Sequence, residues 1–383
     1  MRAWQQYLDT CREYMYLPDE EHLWVIWAAV YANRLDDDPV WLHVVAPASY
    51  GKTTALAPMS GHDSVVCVDV LTAAGFVSGW DAGAKGNCSL APRLDGLLVL
   101  MPDFTSVLGM PTASLKNLMG QLRRAYDGEL NFKSGNQTRV QHMDVRFGLI
   151  TAVTDAIDSH RDVFSDLGER FLVYRMPTLS ARQQKSMAAM RRKIDYAKKK
   201  EKMQLVTYRM LDRNPREPEL SDRIATQLTD TALIAAMART SVKRDRYTKS
   251  VSELTRPESC VRLSQQLCQL AKGMAMITGK RRVGLKEVSL VQRAALHTVS
   301  FTRYQLLRLL MEAYPEMVSA EDLAPRMGLT PVTVERHLED LGSLRLLNGF
   351  CATGGMHYRW VVSEQYGEML SAVWQAHKGR LKW

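Results

Sequence analysis

The chain has 383 residues, 46% of them apolar and 24% charged, which is the composition of a globular protein with two or three cored domains. No run of eighteen uncharged apolar residues is present and the first residues lack an apolar core, so we expect neither a membrane span nor a signal peptide. The net charge of +9 favours a polyanionic partner. The six cysteines contain no Cys-x-x-Cys pair and predict reduced thiols of a cytoplasmic protein rather than a zinc site.

Helical and strand-like segments alternate along the first half of the chain. Residues 1–39 show apolar side chains at helical spacing and predict an N-terminal helical segment. From residue 40 to 177, short apolar runs are separated by helical pieces. The runs are 40–45, 64–70, 97–101, 147–153 and 171–175. Strands that alternate with helices predict an α/β fold, with a parallel sheet covered on both faces.

The first predicted strand leads into Ala46-Pro-Ala-Ser-Tyr-Gly-Lys-Thr53, which has the context of a phosphate-binding loop. In such a loop main-chain N–H groups surround the phosphates, Lys52 contacts them, and the Thr53 hydroxyl ligates Mg²⁺. Ala46 stands where the usual pattern has glycine, whereas Gly51 is kept. The predicted nucleotide contacts are Ala48, Ser49, Tyr50, Gly51, Lys52, Thr53 and Thr54. ATP and Mg²⁺ are the expected cofactors.

The apolar run that ends at Asp103 has the character of a Walker B strand, whose terminal acid lies beside the phosphates. The usual pattern ends in two adjacent acids, but here only Asp103 is present. It is either a Mg²⁺ ligand or the catalytic base, with Asp69 as a possible second acid. The alternative is an ordinary aspartate that caps the next turn.

Two later positions complete the predicted catalytic set. Thr154, with Thr151 as the second choice, lies at the end of the fourth strand, where a polar side chain can orient water. Either threonine can instead be an ordinary strand residue. Arg170, in Gly168-Glu-Arg-Phe171, is a candidate arginine finger that would reach the γ-phosphate held by a neighbouring subunit.

Between the third and fourth strands, turn-forming residues predict a β-hairpin that carries Lys133 and Arg139. These cations are candidates for contacts with nucleic-acid phosphates, or they belong to an ordinary surface hairpin. The following segment, 178–216, holds twelve lysines and arginines against three acidic residues, so its charge equals that of the whole chain. This basic helical connector is either a solvated helix face or a direct nucleic-acid contact.

The second half of the chain is predicted to be helical from 217 to 300, followed by a different module at 301–383. This module has three predicted helices and a hairpin, the pattern of a winged helix-turn-helix. Its third helix opens at Thr330-Pro331, and we expect Val332, Leu338 and Leu341 to face the core. Thr333, Arg336 and His337 are the candidate DNA contacts on this helix. The alternative is a platform for another protein.

The order of these features resembles that of AAA+ ATPases, and within them the MCM-like helicases. Residues 258–264, Glu-Ser-Cys-Val-Arg-Leu-Ser, are similar to the MCM lid segment that follows the sensor-2 arginine. That similarity implies Arg256 as sensor 2, with Arg262 as the alternative. It covers about residues 20–375 and lacks room for the N-terminal OB-fold and zinc ribbon of full MCM proteins, as in short forms encoded by phages or mobile elements.

The resemblance implies a ring, expected to be a hexamer, that hydrolyses ATP to move along single-stranded or forked DNA in a bacterial host cell. A replication initiator or helicase loader with little hydrolysis is the alternative. The single acid at the end of the Walker B strand favours this alternative.

Overall fold

The computed structural model describes residues 2–77, 89–132, 141–161, 163–164, 168–351 and 358–375. These residues form two compact units. The first contains residues 2–220 and 268–287, and the second contains 221–267 and 288–375. Within the described ranges, no helix combines the length and the apolarity needed to cross a bilayer.

The first unit is built on a five-stranded parallel sheet. The strands of this unit are β1 (Trp41–Val45), β2 (Val65–Cys67), β3 (Leu98–Met101), β4 (Glu129–Phe132), β5 (Gln141–Asp144), β6 (Gly148–Val153) and β7 (Phe171–Arg175). The sheet has the order β2-β3-β6-β1-β7, and β4 pairs with β5 as an antiparallel hairpin. All five predicted sheet strands are confirmed. The strand before the phosphate-binding loop therefore lies inside the sheet, between β6 and β7.

Helices cover this sheet. They are α1 (Arg2–Tyr14), α2 (Glu21–Ala32), α3 (Lys52–Leu56), α4 (Ala73–Phe76), α5 (Thr105–Leu108), α6 (Thr112–Tyr126), α7 (Ala181–Lys193) and α8 (Tyr196–Leu211). Short 3-10 turns span Ala57–Met59, Ala91–Arg93 and Asp155–His160. Helix α7 begins at a capping box formed by Ser180 and Gln183, and α8 packs against α1. The basic connector thus belongs to the first unit.

A polar pair lies in the apolar centre of the sheet. His43 of β1 and Thr151 of β6 are register partners, and His43 Nδ1 lies 2.5 Å from Thr151 Oγ1. The His43 ring also stacks on Phe171 with 3.8 Å between ring centroids. Burial lowers the pKa of His43 to about 3, so the ring is neutral in the folded chain. Thr151 is therefore a core residue that supplies a partner for Nδ1 of a buried histidine.

The second unit is mainly helical. Its elements are α9 (Asp222–Arg239), α10 (Val261–Thr278), α11 (Leu285–His297), α12 (Phe301–Ala313), α13 (Ala320–Met327), α14 (Pro331–Ser343), β8 (Leu347–Cys351), β9 (Tyr358–Val362) and α15 (Glu364–Gln375). Along the chain, α10 ends and α11 begins in residues of the first unit. Strands β8 and β9 form an antiparallel pair.

Sequence signals locate the starts of two helices in this unit. The Ser319 hydroxyl accepts a hydrogen bond from the Asp322 N–H at the start of α13, and the Thr330 hydroxyl caps α14. The expectation for Val332 is wrong, because 61% of this residue is exposed. The buried stripe of α14 is Val334, Leu338 and Leu341. Val332 lies in the first turn, before the stripe begins.

A close helix crossing limits which residue position 273 can hold. A Cβ added to Gly273 of α10 would overlap the Ala28 carbonyl oxygen of α2 and lie 2.9 Å from the Ala32 nitrogen. We expect Gly273→Ala to lower the free energy of unfolding by about 2 kcal/mol or more, because two backbones must move apart. Urea unfolding midpoints test this.

Gly120 of α6 is the matched control, because no atom lies within 4 Å of a Cβ added there. Gly120→Ala should stabilise the protein by about 0.5–1 kcal/mol through helix propensity. Equal midpoints for Gly273→Ala and the unsubstituted chain would contradict the close crossing.

Candidate nucleotide site

The loop between β1 and α3 has a conformation that requires glycine. Gly51 has φ +92° and ψ 6°, in the left-handed region. No atom lies within 4 Å of a Cβ added there, so the backbone angle, rather than crowding, selects glycine. Ser49 also has a positive φ, of 66°. These two residues turn the chain so that α3 begins at Lys52, just beyond the carboxyl end of β1.

Lys52 is the buried cation of this loop. Its Nζ donates hydrogen bonds to the carbonyl oxygens of Ala46 and Pro47, the second at 2.9 Å. Burial lowers the pKa of Lys52, whereas the negative charges of Asp155 and Asp103 act in the opposite direction. The ammonium group is therefore held by loop carbonyls within the electrostatic reach of two carboxylates.

Asp103 and Thr53 meet at the end of β3. The Thr53 hydroxyl lies 3.5 Å from the carbonyl oxygen of Pro102, the residue before Asp103. The Asp103 side chain is exposed, and its Oδ1 accepts a hydrogen bond from the Thr105 N–H at 3.0 Å. Asp103 thus caps the turn that opens α5. Because a carboxylate has two oxygens, this cap is compatible with metal binding through Oδ2.

Thr154 lies at the same edge of the sheet, directly after β6. Its N–H donates to Thr105 Oγ1 at 3.2 Å, and the two hydroxyl oxygens are 3.4 Å apart. Thr105 therefore links Thr154 to Asp103. The next residue, Asp155, acts electrostatically on Lys52 and was missed by sequence reasoning, although its place after the strand was a usable signal. The Asp155 carboxylate also lies 3.8 Å from Arg175.

Arg170 is only 7% exposed and is bound within its own chain. Its Nη2 lies 3.1 and 3.2 Å from the two carboxylate oxygens of Asp127, and its Nη1 donates to the Gly168 carbonyl oxygen at 3.0 Å. The guanidinium also lies 5.7 Å from the centre of the Tyr126 ring. A contact with a neighbouring subunit stays a prediction, and it requires exchange of the Asp127 ion pair.

The basic connector contacts the loop between β1 and α3. Arg191 of α7 donates from Nη2 to the Ser49 carbonyl oxygen at 3.0 Å. Gln184 of the same helix lies 3.5 Å from the Tyr50 hydroxyl. The charge of residues 178–216 predicts that they face solvent or nucleic acid. No local sequence pattern indicates that α7 packs on this loop.

A largely apolar cavity adjoins Gly51 and Thr54. Its walls come from the N-terminal helices, from the chain after β7 and from α7, and include Tyr14, Leu17, His22, Met176, Met187 and Met190. Burial lowers the pKa of His22 to about 4. The cavity therefore places polarisable methionine side chains next to the loop, together with the charged side chains of Asp19, Arg191 and Lys199, which also line it.

The remaining predicted loop contacts are accessible. Ala48 and Ser49 are exposed, whereas Tyr50 and Thr54 are half-buried. Asp69 is exposed beyond β2. Lys133 and Arg139 lie outside the described residues.

The candidate residues of the second unit occupy different environments. Arg256 is exposed before α10, and Arg262 on α10 lies 3.6 Å from Glu258, which also binds Arg239 at 2.8 Å. On α14, Arg336 is exposed and Thr333 is half-buried near its N-terminus. Burial lowers the pKa of His337, and the nearby Arg303 guanidinium lowers it further.

No model of a protein family matches the sequence. No curated protein matches it either. A solved structure to which the chain is similar is the crystal structure of a full-length MCM homolog from Methanopyrus kandleri, with 13% sequence identity and a TM-score of 0.46. The match covers 76% of this chain and 58% of that chain, so this chain spans little more than half of that protein's length.

His22 makes stability depend on pH. Its folded pKa of about 4 lies below the usual value of 6.5, so the unfolded chain takes up a proton first as pH falls. The stability that the neutral His22 ring gives to the folded chain is fully present above pH 6.5, and it is lost as the pH falls from 6.5 towards 4. Both proteins should become less stable between pH 7 and pH 5. We expect the drop in the free energy of unfolding to be about 2 kcal/mol smaller in His22→Leu than in the unsubstituted chain.

Urea unfolding at both pH values measures the difference. The exposed His142 provides the control variant, His142→Leu, which should follow the unsubstituted chain. An equal loss in His22→Leu and in the unsubstituted chain would show that His22 is not the source.

Proposed function

We propose that this chain is a Mg²⁺-dependent ATPase that acts on DNA as a ring-forming helicase or translocase. The observation that carries the ATPase assignment is the convergence of Lys52, Thr53, Asp103 and Thr154 at one edge of the sheet. A buried cation, two hydroxyl groups and a carboxylate are the groups that phosphoryl transfer requires. The left-handed Gly51 turns the loop so that these groups can face a triphosphate.

The oxygen donors fit the expected cofactors. The Thr53 hydroxyl and the Asp103 carboxylate would hold Mg²⁺, which prefers oxygen ligands and neutralises phosphate charge when bound. Lys52 would exchange the carbonyl oxygens of Ala46 and Pro47 for β- and γ-phosphate oxygens. A charged acceptor binds an ammonium group more strongly than a neutral carbonyl does, so the exchange favours the bound state.

The apolar cavity beside Gly51 would receive the base. Met187 and Met190 of α7 can adapt to the flat face of a purine, as methionines do in apolar sites. Nearby, Thr154 would orient the attacking water, and Asp103 or Asp155 would accept its proton.

Catalysis would be completed across a subunit boundary of a hexameric ring. Arg170 would leave Asp127 and contact the γ-phosphate held by the next subunit. Arg256 would supply the sensor-2 charge from the helical lid, residues 217–300. The ATPase core would be residues 40–177, joined to the lid by the basic connector, 178–216.

Positive charge and the C-terminal module support DNA as the partner. The module at 301–383 would be a winged helix in which α14 presents Thr333, Arg336 and His337 to DNA. Lys133 and Arg139 would contact a single strand or a fork inside the ring. DNA replication by a phage or mobile element is the process that we propose for it.

One observation favours a second function, an ATP-binding initiator or helicase loader. Asp103 is the only acid at the end of β3, and it already caps Thr105. One oxygen of the lone carboxylate is therefore already used as a hydrogen-bond acceptor, and no adjacent acid stands beside it to accept the proton of the attacking water. Slow hydrolysis would follow, with ATP ordering an assembly rather than driving movement.

Removal of the lysine charge tests the nucleotide site. We expect Lys52→Ala to bind MgATP at least tenfold more weakly, because the phosphates lose their buried cation. Titration calorimetry measures the affinity. Lys185→Ala, which removes an exposed cation from α7, is the control and should bind normally. Unchanged affinity in Lys52→Ala would refute the site.

Turnover separates the motor from the loader. A motor should hydrolyse ATP about tenfold faster or more with single-stranded DNA, and Arg170→Ala should lose about 10³-fold in turnover while keeping MgATP affinity. Steady-state phosphate release measures both. Asp127→Asn, which releases Arg170 from its ion pair without removing it, should remain active. Slow, strand-independent turnover would favour the loader.

A further inference from the structure

We propose that the turn formed by residues 243–250, termed the basic turn, binds single-stranded nucleic acid by stacking a base on Tyr247. The sequence of this turn is Lys-Arg-Asp-Arg-Tyr-Thr-Lys-Ser. The proposal rests on the proposed function for the identity of its partner, and it names a strand-binding surface within the second unit that adjoins α14.

Tyr247 is 87% exposed at the tip of the turn. A tyrosine ring in this position gains almost nothing from folding, because its apolar surface stays in water. An open aromatic face is the feature that proteins use to bind unpaired bases of any sequence. Tyr247 therefore offers a stacking platform.

The turn that carries this ring is held in one conformation. Asp245 Oδ1 accepts hydrogen bonds from the Tyr247 N–H at 2.9 Å and from the Thr248 N–H at 2.7 Å. These main-chain donors lower the pKa of Asp245. The Asp245 N–H donates to the Ser250 carbonyl oxygen at 2.9 Å, which closes the turn. A platform fixed before binding loses little entropy when a base stacks on it.

Arg244 joins the turn to α14 through ion pairs and hydrogen bonds. Its Nε lies 2.9 Å from Asp340 Oδ1, and its Nη1 lies 3.0 Å from Glu339 Oε2. It also donates to the Arg336 carbonyl oxygen at 2.5 Å and to the Lys249 carbonyl oxygen at 2.6 Å. Two acids that would repel phosphate are thereby neutralised, and the exposed Arg336 side chain lies beside the turn.

Cations flank the ring on both sides. Lys243, Arg246 and Lys249 are all exposed, whereas the turn contains a single acid, Asp245. Lys243 lies 3.3 Å from Glu253, but both side chains are more than 60% exposed, so this pair is weak in water. An exposed ring with exposed cations on either side of it in the sequence matches a nucleic-acid strand, in which phosphates repeat beside each base.

Fluorescence anisotropy of the full chain with a labelled 20-nucleotide single strand tests the proposal. We expect Tyr247→Ala to weaken binding about tenfold, and Tyr247→Phe to keep the affinity of the unsubstituted chain, because phenylalanine retains the stacking face. In a plot of log affinity against log salt concentration, Arg246→Gln should make the slope shallower by about 0.7, which is the value expected for the loss of one phosphate contact. Leu254→Ala is the control, since Leu254 is fully exposed nearby but has no ring.

MgATP affinity and strand-independent ATP turnover should be unchanged in Tyr247→Ala. Failure of the stacking proposal is therefore distinguishable from failure of the ATPase assignment. Equal strand affinity of Tyr247→Ala and the unsubstituted chain would overturn the proposal, even if Lys52→Ala loses ATP. It would also be overturned if the turn bound polyglutamate or phosphatidylserine vesicles through Tyr247 and no single strand.

Discussion

The Lys52 ammonium group and the carbonyl oxygens that hold it are the interaction on which the candidate site depends. A lysine buried in this way must have acceptors, because an isolated buried charge is costly. The carbonyls of Ala46 and Pro47 meet that need within the loop itself. The loop therefore keeps its cation at the sheet edge through contacts that a stronger acceptor can replace.

A contact in the centre of the sheet helps to place the loop after β1 and Thr154 at the same edge of the sheet. His43 Nδ1 and Thr151 Oγ1 pair between two parallel strands, and the Phe171 ring of β7 covers the histidine. This arrangement fixes β1 beside β6 and β7, so the loop after β1 and Thr154 after β6 emerge together. The polar pair is thus a structural support for the edge at which Thr154 lies.

Local patterns were sufficient for the sheet and for the helix start at Thr330, because apolar runs and capping residues act over a few positions. They failed at Val332, where an apolar residue in a first helical turn lies outside the buried stripe. Lys52, Thr53 and Asp103 followed from a motif, but their roles stay predictions. The contacts of Arg170 with Asp127, and of Arg191 with Ser49, join distant segments, and no local pattern encodes such a pairing.

The placement of α7 on the loop between β1 and α3 has a thermodynamic consequence. Met187 and Met190 line the cavity, and Arg191 holds the loop carbonyl of Ser49, so one basic helix borders the proposed ligand on two sides. A polyanion that attracted the cations of this helix would compete with its hold on the loop. Linkage is reciprocal: whatever factor the polyanion imposes on triphosphate affinity, the triphosphate imposes on the affinity for the polyanion.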